Sequence, residues 1–251
     1  MLKKFNTKKE GGEKMRLKLY FSLENNKFPI QYHKNIMSFI KLSLTEYNQN
    51  YYEKLYHAKD NIIKPYGFAT LFKSEKFEED TILLKEKKFE ILITIADCEI
   101  AVALYNSFNH QKGKRFAIHD NAWTLQNISM IPEKQINESN LRIKFLSPLV
   151  VRSRENRKDY YYSYAHKEFL ETLKVNIKEQ LKITNIPPQL VDSLTIQALQ
   201  AKKVIVKFYE KKIETSIGTF ELTGEKQLLK YLYQAGIGSK RSSGFGVFEI
   251  I

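Results

Sequence analysis

Proton transfer near neutral pH calls for histidine, whose unperturbed pKa of about 6.5 lets it give and take a proton. This chain has five histidines. His57 closes the run Leu55-Tyr56-His57 and is followed by Lys59 and Lys64. His33 follows Tyr32. His110 lies towards the end of a helical pattern, and His119 and His166 lie in or beside regular elements, where surface or satisfied roles are the ordinary expectation. A lone histidine near a helix end is usually structural as well, so spacing alone leaves His57 and His33 as candidates. The carboxylates are scattered among lysines, with no His/Asp/Glu set at metal-ligand spacing. Glu78-Glu79-Asp80 reads as a solvated turn. We therefore expect neither a metal nor a cofactor.

A second chemistry, anion binding, is suggested by the run Gly236-Ile237-Gly238-Ser239-Lys240-Arg241-Ser242-Ser243-Gly244-Phe245-Gly246. Backbone N–H groups unshielded by a Cβ can approach phosphates, and Lys240 and Arg241 add charge. The run follows a helical pattern and precedes a strand. That is the reverse of the dinucleotide fingerprint, and no Gly-Lys-Ser/Thr opens a helix as in a Walker loop. A second basic group, Arg152, Arg154, Arg157 and Lys158, is opposed only by Glu155.

The totals agree with an anionic partner. The formal charge is +13 over 251 residues, which points to nucleic acid or an acidic membrane surface. Residues 1–14 carry five lysines and two glutamates. We expect this polar stretch to be a disordered extension, and removing its +3 still leaves +10. Glu10-Gly11-Gly12-Glu13-Lys14-Met15 also fits a translated ribosome-binding site, which would make Met15 the natural start. No apolar run approaches the roughly 20 residues that span a bilayer. The single cysteine, Cys98, excludes an internal disulfide framework, fits a reducing cytoplasm, and is expected to be a buried thiol in a helix.

These residues must be positioned by regular elements. Leu17, Leu19 and Phe21 alternate with Arg16, Lys18 and Tyr20 as a first strand. A helix is expected over residues 34–48, on Ile36, Ile40, Leu44 and Tyr47, and a short helical piece over 51–57. Residues 66–72 are β-like, Lys85–Lys88 is a turn, and Phe89, Ile91, Ile93 and Ile95 alternate strictly. Asp97 can cap a helix carrying Ile100, Ala101, Leu104 and Phe108, and residues 118–130 form the next strand. That order is βαββαβ, a ferredoxin-like unit. A second begins at Leu141–Val151, interrupted at Pro148. It continues with a helix over 165–182, a strand through Val204, Val206 and Phe208, and a hairpin partner over 213–222. A helix capped by Thr223 and ended by Gly236 follows, then a strand at Val247–Ile250. The expected fold is α+β, two tandem ferredoxin-like (RRM-like) domains over residues 15–138 and 139–251.

The glycine-rich run, a Gly-apolar-Gly, a basic stretch with serine and a closing Gly-Phe-Gly before a strand, resembles the CRISPR repeat-processing endoribonucleases of the RAMP superfamily. The resemblance extends more weakly from Met15 to Ile251, and it too implies two ferredoxin-like halves. It implies a metal-independent endoribonuclease acting on CRISPR precursor RNA within its repeats. The RNA's own 2′-hydroxyl attacks the adjacent phosphate, leaving a 2′,3′-cyclic phosphate and a 5′-hydroxyl. Such a reaction needs a base near the 2′-oxygen, an acid near the leaving oxygen and a cation near the phosphate.

Carried over residue by residue, the resemblance makes His57 the general acid/base and Lys64 the phosphate-stabilising cation, with Lys59 the competing lysine and His33 the runner-up histidine. A tyrosine often found on the family's first helix is replaced by Lys41, which leaves the third catalytic group open, with Lys41 its candidate. Arg152, Arg154, Arg157 and Lys158 follow Leu146-Ser147-Pro148-Leu149-Val150-Val151 and match the family's segment that grips repeat RNA. Gly236, Gly238, Lys240, Arg241, Ser242, Gly244 and Gly246 form the RNA-binding loop, and Asn176 is structural. The implied partners are the repeat RNA and, beyond it, other subunits of a CRISPR effector complex or a second copy of the chain as a homodimer, with no membrane. The competing reading is a non-catalytic RNA-binding subunit of such a complex. A protein binding DNA or anionic membranes is the weakest, because no DNA-reading helix or strongly amphipathic basic helix is evident.

Overall fold

The computed structural model describes residues 15–56 and 62–251. The expected disordered extension over residues 1–14, and His57 and Lys59, lie outside the described residues. The first half contains β1 (Met15–Leu23), β2 (Lys27–Pro29), α1 (Tyr32–Tyr47), α2 (Gln49–Tyr56), β3 (Tyr66–Leu71), β4 (Ser74–Phe77), β5 (Thr81–Leu84), β6 (Lys88–Ile95), α3 (Cys98–Gln111), β7 (Arg115–Ile118) and β8 (Asn121–Pro132). Its main sheet is antiparallel in the order β3-β6-β1-β8-β7. Without the edge strand β7, the four long strands and the helices α1 and α3 form a βαββαβ unit.

Period-2 alternation puts Leu17, Leu19 and Phe21 on one face of β1. They pack with Phe89, Ile91 and Ile93 of β6 and with the apolar stripes of α1 and α3. Phe21 stacks on Phe89 at 4.7 Å, and Trp123 of β8 is fully buried among these rings. The Asp97 carboxylate accepts from the Ile100 amide at 2.9 Å and caps α3 as expected.

After an irregular stretch over residues 133–139, the second half contains β9 (Asn140–Phe145), β10 (Val151–Glu155), β11 (Lys158–Tyr162), α4 (Phe169–Leu181), β12 (Thr195–Phe208), β13 (Lys211–Thr223), α5 (Lys226–Ala235) and β14 (Phe248–Ile250). Its sheet runs β12-β13-β9-β14. This is the same strand order as in the first unit, so the fold is two tandem ferredoxin-like units. Leu141, Ile143 and Phe145 of β9 meet Leu173 and Ile177 of α4 and Leu228, Leu229 and Leu232 of α5 in a second core.

The halves are joined through the face of the first sheet that carries Arg16. Ala69 of β3 and Leu92 of β6 pack on Val247, with Leu146 beside them. This explains why α5 buries Tyr231, Tyr233 and Gln234 as well as its leucines: it has a sheet on one side and the other half on the other. A Cβ on Gly67 of β3 would lie 3.1 Å from Val247 and 3.2 Å from the Ala235 carbonyl oxygen, so glycine lets the two halves approach.

Several expectations are corrected. Thr223 ends β13 instead of capping α5, whose N-cap is Glu225 without a side-chain cap bond. Cys98 is exposed, because it is the first residue of α3 and not part of its buried stripe. The strands β2, β4, β5 and β7, each three or four residues long, are too short to show a period. The basic segment after Val151 is the β10–β11 hairpin. Asn156 and Arg157, at φ 49° and 63°, form its two-residue turn.

Candidate active site and nucleic-acid interface

Two of the three expected catalytic residues converge. Lys41 projects from α1. Lys64 stands just before Pro65, whose preceding residue is biased to extended backbone and which leads into β3. Both ammonium groups approach the ring of Tyr56, the last residue of α2, Lys41 Nζ at 5.0 Å and Lys64 Nζ at 4.7 Å from its centroid. Burial lowers the Lys64 pKa, and the neighbouring charge of Lys41 lowers it further. Lys64 Nζ donates to the Ile62 carbonyl at 3.3 Å. The Tyr56 and Tyr66 hydroxyls are hydrogen-bonded to each other, tying the end of α2 to the start of β3. Burial pushes Tyr56 up to about 12 and Tyr66 well above its ordinary value, so both stay neutral hydrogen-bonding groups. In sequence His57 directly follows Tyr56.

His33 has a different place. It lies in the first turn of α1, is 2% exposed, and is stacked on Tyr32 at 4.1 Å and on Phe245 at 4.7 Å, with Phe208 edge-on. Burial drives its pKa down to about 3, with the Gly244 backbone opposing the shift. An imidazole enclosed between the halves cannot reach a substrate, so the runner-up assignment of His33 is corrected: it is a packing residue.

The glycine-rich run is mostly interior. Gly236 at φ 77° ends α5, the Ile237 amide donates to the Gly246 carbonyl at 2.8 Å, and the Ser239 amide donates to the Val150 carbonyl at 2.8 Å. A Cβ on Gly238 would lie 2.6 Å from the Val150 oxygen, on Gly244 2.6 Å from Phe68, and on Gly246 1.9 Å from the Ile237 oxygen. The glycines are therefore required by protein packing against β3, α1 and the Pro148–Val151 segment, and not by an exposed phosphate cradle. Arg241 is corrected as well. Its buried guanidinium donates to the Ala235 carbonyl at 2.8 Å, which satisfies the C-terminus of α5. Lys240 and Ser242 remain half-buried at the surface.

Lys240, at φ 59°, is the cation the loop presents. Its ammonium sits 4.9 Å from the Phe208 ring. Burial and then the charges of Arg152 and Lys211 hold its pKa down, against the pull of Asp159. Arg152 and Arg154 share a face of β10, and Arg152 lies 3.5 Å from Asp159. Arg157 and Lys158 at the hairpin turn are exposed and border a cleft of about 520 Å³ with Lys211 and Lys212. The basic surface thus joins the glycine loop, the β10–β11 hairpin and the turn of the β12–β13 hairpin. Lys211 and Lys212 escaped the sequence reading because nothing local shows that this turn comes to lie beside β11.

Asn176 of α4 is structural, as expected. Its side chain accepts from the Arg152 amide at 3.0 Å and from the Ser239 hydroxyl at 2.7 Å, and donates to the Arg152 carbonyl at 2.8 Å. It locks β10 to the loop. Arg16 does the same from β1, donating to the carbonyls of Tyr233 at 2.9 Å and Phe248 at 3.0 Å while its guanidinium lies 3.7 Å over the Tyr233 ring. Tyr233 and Phe248 flank the loop, so one buried arginine holds both of its ends. Among the described residues, no three His, Cys, Asp or Glu side chains are grouped as metal ligands. None of the described helices is long and apolar enough to cross a membrane.

Comparison with known proteins bears on this arrangement. Residues 131–250, which contain the hairpins and the glycine-rich loop, match the family model described as CRISPR associated protein Cas6, C-terminal. Over 197 residues the chain is 26% identical to a CRISPR-associated endoribonuclease-like protein Cas6 of Pyrococcus furiosus, covering 74% of this chain and 80% of that one. The structure superposes on that of a Cas6-related gene product from Pyrococcus furiosus with a TM-score of 0.84 at 21% identity, over 94% of this chain and 98% of the other. A second structure, described as a RAMP protein binding different RNA substrates, gives a TM-score of 0.81 at 20% identity over 94% and 99%. The C-terminal half of this chain thus carries the match to the Cas6 C-terminal model, and the chain as a whole resembles RAMP-type CRISPR proteins in its aligned relative and in its fold.

Proposed function

We propose that this protein is an endoribonuclease that cuts CRISPR precursor RNA within its repeats by metal-independent general acid/base catalysis. The observation that carries the reading is the convergence of Lys41 and Lys64 on Tyr56, the residue that precedes His57. His57 supplies the proton transfer. Lys64 stabilises the negative charge that grows on the phosphate as the 2′-hydroxyl attacks, and Lys41 supports it from the first helix. The products are a 5′-hydroxyl and a 2′,3′-cyclic phosphate. Within this reading, residues 15–138 carry the catalytic cluster. Residues 139–251 hold the repeat through Lys240, Arg152, Arg154, Arg157 and Lys158, joined by Lys211.

Single-turnover cleavage of the repeat from the adjacent CRISPR array, at saturating enzyme and in EDTA, tests the reading. Wild-type protein should cut. His57→Ala should slow the chemical step by about 10²–10⁴-fold with repeat binding retained, and a 2′-deoxy nucleotide before the scissile phosphate should stop cleavage. Cleavage of the 2′-deoxy substrate would refute the mechanism. The names of the relatives stop at endoribonuclease-like and RNA-binding, which favours a second reading, a non-catalytic RNA-binding subunit of a CRISPR effector complex. Tight binding without cleavage under these conditions would select it.

A further inference from the structure

Lys41 and Lys64 come from separate elements and carry like charges, yet both ammonium groups settle near one aromatic ring. Among the described residues no carboxylate pairs with either. Lysine heads ordinarily stay in water and like charges repel, so their meeting needs a cause. The ring of Tyr56 provides one, because an aromatic face attracts cations. The ring is itself fixed on two sides. Its hydroxyl is bonded to that of Tyr66, and Tyr52, one turn earlier in α2, stacks on it at 5.6 Å and 21°. Two cations gathered at one ring, with no anion between them among the described residues, form a site whose complement is an anion.

We propose that Tyr56 is a positioning residue that holds Lys41 and Lys64 together as one two-cation subsite for a single phosphodiester. This rests on the reading of Lys64 as the phosphate-stabilising cation. It assigns the family-divergent Lys41 to the same phosphate. It also makes the aromatic ring, and not the Tyr56 hydroxyl, the feature that matters for the pair.

The test follows the titration of Lys64 by NMR of the lysine side chains in the full-length protein, beside single-turnover cleavage of repeat RNA. Tyr56→Ala should release both lysines, raise the Lys64 midpoint towards its ordinary value and slow cleavage about tenfold. Tyr56→Phe, which keeps the ring and loses the hydroxyl, should restore both. Lys41→Met, at an exposed position that can be changed without disturbing the core, should by itself raise the Lys64 midpoint. If Lys41→Met leaves that midpoint unchanged, the lysines do not share a site and the proposal falls. It falls equally if Tyr56→Phe behaves as Tyr56→Ala does, since the hydroxyl clasp would then be the operative feature. If the wild-type protein fails to cleave the repeat, the function reading is refuted, while the lysine titrations still decide whether Tyr56 pairs the two cations.

Discussion

Replacing Gly244 with alanine separates two explanations of the glycine-rich loop. Gly244 has φ 93°, where a Cβ would lie 2.6 Å from Phe68 and 2.7 Å from His33. The left-handed backbone costs a non-glycine residue about 1–2 kcal/mol. Forcing a methyl group into this wedge adds about 1–3 kcal/mol of overpacking, so the substitution should destabilise the protein by roughly 2–5 kcal/mol. That is a large part of the about 5–15 kcal/mol that ordinarily holds a protein folded. Gly113 supplies the control. It has φ 78°, but a Cβ there meets nothing within 4 Å, so Gly113→Ala should cost only the backbone term. Urea unfolding of the two variants beside wild type measures the difference. Repeat-RNA affinity, measured where both remain folded, should change less for Gly244→Ala than for Lys240→Ala. Equal destabilisation at the two positions, with a collapse of RNA affinity only for Gly244→Ala, would refute the packing argument and return the loop to direct RNA contact.

Two further predictions concern charge. His33 is held neutral in the fold, with a pKa of about 3 against an unperturbed 6.5, so below pH 6.5 the unfolded chain takes up the proton first and stability falls by about 1.4 kcal/mol per pH unit towards pH 3. His33→Phe keeps the ring and removes the titration. The stability difference between it and wild type should therefore grow steadily from pH 6.5 to pH 4, and a constant difference would show that the imidazole is not kept neutral. On the surface, Lys240→Ala and Arg154→Ala should each weaken repeat binding across sequences and lower the slope of log affinity against log salt by about one unit. Arg241→Met should leave that slope unchanged, since its guanidinium is spent on the α5 C-terminus. A drop in the Arg241→Met slope equal to that of Lys240→Ala would contradict its burial.

What the chain reveals locally is what depends on period and on a few punctuating residues. The alternation Leu17, Leu19, Phe21 and Phe89, Ile91, Ile93, Ile95, the cap at Asp97 and the stop at Gly236 reflect backbone geometry acting over a few residues, and they were sufficient to order two βαββαβ units. The motif Gly-Ile-Gly…Gly-Phe-Gly carries the resemblance to the family whose C-terminal model matches residues 131–250. What depends on distant residues meeting was not legible. Alternation puts Arg16 on the face of β1 opposite Leu17 and Leu19, but it says only which face a side chain takes and not what covers that face; here it is the second half of the molecule, through Tyr233 and Phe248. The same docking encloses His33, removes Arg241 from the surface and changes the reason for the glycines from approach to RNA into approach of protein to protein. It was likewise only in three dimensions that Lys41 and Lys64 met over Tyr56 and that Lys211 joined the basic hairpins, since each lysine belongs to a different element and electrostatic proximity follows distance in space and not position along the chain.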